Sequence, residues 1–312
     1  MKKFTLFLIL IVASLAAGSL SIASAQSSVD ATLLSFVQTA FKNTSAATSL
    51  EVDVNALSSN LAAGKTTATP TLQRTSSFQL MSDGNGGWNI TGHQTFGPPV
   101  PANATPEANA TDNNTTLEMV VLGGKTYIRY TEIPPRMTPQ NPPPNWTDTA
   151  SLPAGTAFAG GTPTAKDILT LLSVPLDATS VTSLNEQAAD TIDGMAMRVF
   201  QITLDTQKVM DSDAAGVLNT GLARPTGAAA PPPATVSPAA TPQATPVPLS
   251  PDNTGITLTV WIGTDNLVHR ITSVVIRSQM GAKADTTTTL TNTTDFTNFN
   301  QPVTISAPTI GS

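Results

Sequence analysis

The sequence predicts an α+β fold in which a largely antiparallel sheet buries one face under a few helices. Three observations lead there. Apolar and polar residues alternate through several segments, these segments are joined by short turns rich in Gly, Asn and Asp, and an amphipathic helical stretch opens the folded part. Strands joined by short turns run antiparallel, and a one-sided sheet needs helices to cover its apolar face.

The first residues are a separate unit. Lys2 and Lys3, an apolar run from Phe4 to Ala17, and Ala23-Ser24-Ala25 ahead of Gln26 have the order of a secretory signal peptide, with cleavage expected after Ala25. The apolar run is shorter than the roughly 20 residues that a membrane span needs. Residues 26–312 are then expected to form one domain.

Val29, Leu33, Phe36, Val37, Ala40 and Phe41 recur at helical spacing and predict a helix from about Ser28 to Lys42. From Ser49 the period shortens to two, with Leu50, Val52 and Val54 against Glu51, Asp53 and Asn55. Phe78 and Leu80 mark a partner strand that ends at Asp83-Gly84-Asn85-Gly86-Gly87, a hairpin turn, after which Trp88 to Thr91 resume the sheet. Leu117–Leu122 and Lys125–Tyr130 flank Gly123-Gly124 as a second hairpin, and Ser180–Ala189 and Met195–Leu204 flank Asp193-Gly194 as a third. Short helices are expected at Lys166–Ser173, stopped by Pro175, and at Gln207–Asn219. Ile256–Ile262 alternates, Gly263 to Asn266 turn, Leu267–Met280 run back, and the Thr-rich Ala284–Thr294 forms a last strand.

Proline interrupts this pattern in three places. The segments 97–114, 133–164 and 223–251 are poor in aliphatic bulk and rich in Pro, Ala, Thr and Asn, and they read as insertions into the domain, disordered or extended. Lengthening a surface loop costs little free energy, so the insertion at 223–251 is expected to be a tolerated one rather than a lid over a cavity.

Composition excludes several kinds of function. The 312 residues carry a formal charge of −6, and only 12% are charged. No cluster of Lys and Arg is present to neutralise phosphates, which argues against nucleic acid and against an anionic membrane surface. The chain has no cysteine, so neither disulfides nor a lipidated N-terminal Cys is available to it. His93 and His269 are far apart in expected strands and are read as facing solvent. No Gly-x-Ser-x-Gly, phosphate-loop or His-Glu-x-x-His sequence occurs. An enzyme, a metal and a cofactor are accordingly not expected. Asp83–Gly86 and Asp211-Ser212-Asp213 lack the ligand spacing of a calcium loop.

The order of the elements carries a resemblance. The initial helix and strand pairs are followed by Val121-Leu122-Gly123-Gly124-Lys125-Thr126-Tyr127-Ile128, Trp146, a short helix, and Thr191-Ile192-Asp193-Gly194 leading to Val199 and Ile202. Then come Leu258-Thr259-Val260-Trp261-Ile262-Gly263, Leu267 to Ile271, Asp295-Phe296 and Pro302 to Pro308. This succession resembles the LppX/LprG group of envelope lipoproteins, within the wider superfamily of LolA-like carriers. The resemblance implies an antiparallel sheet curved into an open half-barrel, with helices over the concave face enclosing an apolar cavity for acyl chains. The chain departs from that group at Ala25-Gln26, where the lipidated Cys would stand, and in its insertion at 223–251.

On this reading the protein is exported and non-enzymatic, and carries a lipid or other hydrophobic ligand in the cell envelope, with a membrane or envelope protein as further partner. The expected cavity residues are Leu33, Phe36, Val37 and Phe41 from the first helix and Leu169, Leu172, Val209 and Met210 from the others. Val199, Phe200, Val260 and Ile262 would lie opposite them on the sheet. An envelope sensor that binds other proteins, and a secreted surface protein with spacer-like inserts, are the alternatives. A cavity of several hundred Å³ separates the first from the other two.

Overall fold

The computed structural model describes residues 29–62, 69–97, 115–132, 145–152, 164–212, 254–279 and 286–310. The expected signal peptide, almost all of the segments 97–114 and 223–251, and residues 133–144 and 153–163 of the remaining insertion lie outside these.

Helix α1 spans Ala31–Ser45. It starts later than the periodicity suggests because Asp30 caps it, its carboxylate accepting from the Thr32 and Leu33 amides at 2.8 and 3.2 Å. Leu34, Val37, Ala40, Phe41 and Thr44 form its buried stripe. Ala46 ends it, donating its amide back to the Lys42 and Asn43 carbonyls.

Eleven strands follow: β1 (Ser49–Ala62), β2 (Thr69–Ser82), β3 (Trp88–Gly97), β4 (Thr115–Leu122), β5 (Lys125–Glu132), β6 (Thr147–Asp148), β7 (Val181–Ile192), β8 (Met195–Leu204), β9 (Thr254–Gly263), β10 (Val268–Gln279) and β11 (Thr286–Thr297). They form one antiparallel sheet in the order β6-β5-β4-β3-β2-β1-β11-β10-β9-β8-β7. The first and last long strands therefore pair in the middle, with Val52 opposite Phe296 and Val54 opposite Thr294. The edges β6 and β7 do not meet, so the sheet is open.

Two short α-helices follow among the described residues. Helix α2 (Ala165–Leu169) begins with a capping box between Thr164 and Asp167 and runs on as a 3-10 turn, Thr170–Ser173. Helix α3 (Thr206–Met210) is capped by Asp205. The rest of the helix expected as far as Asn219 lies largely outside the described residues.

Side-chain alternation gives the sheet two unlike faces. The inner face is the apolar one, and its residues from Ile128 and Tyr130 in β5 round to Val181 and Leu184 in β7 join Val37, Phe41, Ile168, Leu171, Leu172 and Val209 in one continuous core. Ten strand spacings of about 4.8 Å would make a flat sheet roughly 48 Å wide, whereas the fifteen residues of α1 reach about 22 Å. The sheet meets its helices by curling over them. Smaller apolar groups hold the outer face: Val120 and Tyr127 pack with Ile305 of the C-terminal tail, and Met197 and Val199 with Trp261.

The two ends of the sheet also differ. Asp83–Gly87, Gly123-Gly124, Asp193-Gly194 and the turn between Gly263 and Val268 all lie at one end. Asp193 and Gly194 both take positive φ, 49° and 83°, which the right-handed twist of a tight hairpin requires. The long connections, including those that carry the Pro-rich segments 97–114 and 223–251, leave from the other end.

The entry to β7 depends on one carboxylate. Asp177 accepts from the Thr179 hydroxyl and amide, both at 2.7 Å, and from the Ser180 amide and hydroxyl at 2.9 and 3.0 Å. The Thr179 hydroxyl bond, followed by the other bonds, lowers its pKa from 3.8 to about 2. A carboxylate depressed by folding contributes stability above its unfolded pKa, and that contribution is lost as pH falls through the folded value. Between pH 3.8 and about 2 the protein should lose a small increment of stability that an Asp177→Ala variant lacks at every pH. Melting curves of the two chains at pH 2, 3 and 5 check this, and parallel pH profiles would count against it.

Candidate functional site

The inner face is a floor of cross-strand rows. One row runs Phe200, Val260, Ile271, Thr294, Val54, Ser76, Gln94, Leu117 and Tyr130. The next runs Ile202, Leu258, Ser273, Asn292, Ala56, Arg74 and Phe96. The floor is thus aliphatic and aromatic under β8 and β9 and turns polar toward β11, β2 and β3.

The roof is α1 together with α2 and its 3-10 extension. Few polar bonds hold α1 down. Asn43 donates to the Asn266 carbonyl at 3.3 Å, the Gln38 amide donates to the Leu176 carbonyl, and the Thr44 hydroxyl accepts from the Val268 amide at 2.8 Å while donating to Ala40. Leu33, Phe36 and Leu169 are half-buried at the margin of the core. The Phe36 ring lies 5.6 Å from that of Phe200, so roof and floor are in contact there. The Arg198 guanidinium stacks over both rings, 4.2 Å from Phe36 and 5.0 Å from Phe200. It is held by two bonds to Glu186, at 2.8 and 2.9 Å. The bond to Arg198 lowers the Glu186 pKa and raises that of Arg198. This ion pair is largely exposed and closes a corner of the margin.

Ten of the twelve expected cavity residues come together in the core: Leu33, Phe36, Val37, Phe41, Leu169 and Leu172 above, Phe200, Val260 and Ile262 below, and Val209 beside them. Val199 does not. It follows alternation onto the outer face with Met197 and Trp261, since neighbours on a strand cannot share a face. The Met210 side chain lies outside the described residues. Sequence reasoning missed Leu34, which is buried more deeply than Leu33, and it missed the polar inner residues, which carry no apolar signal.

A cleft of about 240 Å³ lies between β1, β2, β3 and β11, lined by Asp53, Asn55, Thr75, Ser77, His93 and Asp295. Apart from Val54 and Ser76 its lining is polar and belongs to the outer face. With two carboxylates directly opposite each other, Asp53 and Asp295, it is unsuited to acyl chains. Arg270 bonds Asp295 and stacks over Trp261, whose indole donates to Asp190 at 3.0 Å. Among the described residues no three His, Asp or Glu side chains are grouped as metal ligands.

The histidines part company. His93 is exposed, as its alternation predicts. His269 is not: its side chain is 12% exposed, bonds Asp265 at 3.1 Å and meets the Phe299 ring edge-on at 5.2 Å. The tail that follows β11 brings Phe299 over it, a contact that local periodicity does not encode.

No family model matches the sequence, and no curated protein matches it. Among solved structures, the chain is similar to LprF from Mycobacterium bovis, at 13% identity over 91% of this chain and all of that one, with a TM-score of 0.42. It is also similar to the Mycobacterium tuberculosis lipoprotein LppX, at 14% identity over 89% of this chain and all of that one, with a TM-score of 0.41. Superpositions this loose transfer no residue role to the chain.

Proposed function

We propose that the chain is an exported, non-enzymatic protein that holds a lipid or another hydrophobic ligand between its short helices and the inner face of the sheet, in the cell envelope. The observation that carries this reading is the mismatch between floor and roof. A broad apolar face under β8 and β9, polar only toward β11, β2 and β3, lies on an open sheet, while the helices over it are short, tied by few polar bonds and lined at the margin by the half-buried Leu33, Phe36 and Leu169. Acyl chains need apolar walls and little else. Because Phe36 and Phe200 are in contact, a ligand enters by lifting the α1 side of the roof, and the space it then fills keeps the separated faces from water. The order of basic, apolar and small residues before Gln26 supports export.

Phe36→Asp places a carboxylate at that margin, where a side chain that is only half-buried can still reach solvent. The variant is expected to lose uptake of a fluorescent acyl probe, with an unchanged far-ultraviolet spectrum showing that the sheet remains folded. Absence of probe binding by the unaltered protein would overturn the carrier reading in favour of a protein-binding role.

A further inference from the structure

The inner face holds a half-buried cation, Arg74, with no carboxylate paired to it among the described residues. Arg74 and Ser76 lie two residues apart on β2 and so point the same way, into the curl of the sheet. The Arg74 Nε is buried without a hydrogen-bond partner, and so is the Ser76 hydroxyl, whose residue is 5% exposed. Arg74 has no ion-pair partner among the described residues. The nearby carboxylates of β1 and β11, Asp53 and Asp295, alternate onto the outer face. Around the pair the floor stays polar: Gln94 is Ser76's cross-strand neighbour, and Asn292 lies one strand beyond Ala56, the residue opposite Arg74. Gln94 and Asn292 are 4% and 8% exposed.

We infer that this patch is a receptor for the acidic head, carboxylate or phosphate, of an amphiphile whose apolar chain lies along the aliphatic floor toward Phe200. The inference rests on the carrier reading and narrows its ligand class. An arginine stays charged at any working pH, and its planar fork matches a carboxylate or phosphate with two parallel bonds. The Ser76 hydroxyl and the Gln94 amide add donors of the kind an anion accepts. Burial lowers the Arg74 pKa through desolvation alone, in keeping with a guanidinium that lacks a counter-charge. Leaving such a group unpaired is unfavourable, and the incoming anion removes that penalty. The apolar floor rewards the tail while Arg74 rewards the head, so neutral lipids of equal chain length gain only the contribution of the tail.

The test is displacement of the fluorescent acyl probe from the whole mature chain by matched pairs: oleic acid against oleyl alcohol, and phosphatidic acid against diacylglycerol, with inorganic phosphate and acetate as head-only controls. At least one acid should compete about tenfold better than its neutral partner, and the member that does so names the head. In Arg74→Met this advantage should vanish while the neutral lipids compete as before. The same variant should melt no lower than the parent without ligand, because it removes an unpaired buried charge; a clear fall would assign Arg74 a structural partner and overturn the inference. Ser76→Ala, a smaller change, should weaken the preferred acid alone. Equal competition by acids and neutral lipids would overturn the head-group receptor and leave the carrier reading intact, whereas no probe binding by the parent would remove both. Full displacement by inorganic phosphate or acetate at the same concentration would reduce the patch to an ion site.

Discussion

Gly92→Ala is expected to cost about 3 kcal/mol or more, lowering Tm by roughly 6–12 °C or preventing folding. Gly92 lies in β3 directly opposite Phe78, on the inner face. A Cβ there would stand 2.2 Å from the Ser77 carbonyl oxygen, 2.5 Å from Phe78 Cδ1 and 2.9 Å from Phe78 Cα. Two of these three atoms are backbone and cannot swing aside, so the β2–β3 ladder itself would have to part. Gly255→Ala in β9 is the control, since nothing lies within 4 Å of the added carbon. It should be neutral or slightly stabilising, because alanine narrows the unfolded ensemble. Thermal melts of both variants beside the parent decide the matter, and equal melting of Gly92→Ala and the parent would mean that Phe78 does not cover the strand as described.

Phe200→Ala should be the most damaging truncation on the floor, with a loss of about 3–5 kcal/mol. The ring is fully buried; Phe36 packs against it from the roof, and the guanidinium of Arg198, from the same strand, stacks over it. Its removal empties space that the ladder with Val260 in β9 cannot close, because the strand spacing is fixed by backbone hydrogen bonds. Val199→Ala, one residue earlier and on the outer face, removes two methyl groups from a small cluster and should cost about 1–2 kcal/mol. Urea denaturation of the pair measures the contrast. A Val199 effect equal to that of Phe200 would mean that the outer cluster carries as much of the fold as the inner core.

The hairpins and the initial helix were legible because their signals are local. Asp83 shows why: its carboxylate accepts from the Asn85 and Gly87 amides at 2.8 and 2.9 Å, so the turn is held by residues within it, and composition alone exposes it. The pairing of β1 with β11 was not legible. The two strands are separated by nearly the whole folded chain, and the Thr-rich β11 offers only Leu290 and Phe296 as apolar markers. At the site, helical periodicity put Phe36, Val37 and Phe41 on the face of α1 that meets the core. Alternation along β8 admitted either Val199 or Phe200 but never both, and the choice is made by α1, whose Phe36 packs on Phe200. Arg74, Ser76 and Gln94 escaped notice for a plainer reason: polar residues in a strand read as its solvent side until the partner strands fix the register.

The central position of β11 constrains the order in which the chain can be completed. As the polypeptide emerges N-terminus first, β1 to β5 can pair as successive hairpins, each closing as soon as its second strand appears. The far edge of β1 then waits, fourteen residues long, with its amides and carbonyls open to any passing strand. It stays so through the synthesis of everything up to Thr286, because only the last strand satisfies it. A chain cut short before β11 therefore leaves two half-sheets, each with a free edge that β11 would have paired, a form prone to join with other copies of itself. Newly made protein is at greatest hazard in that interval, and a holding chaperone would find its point of action at the exposed edge of β1.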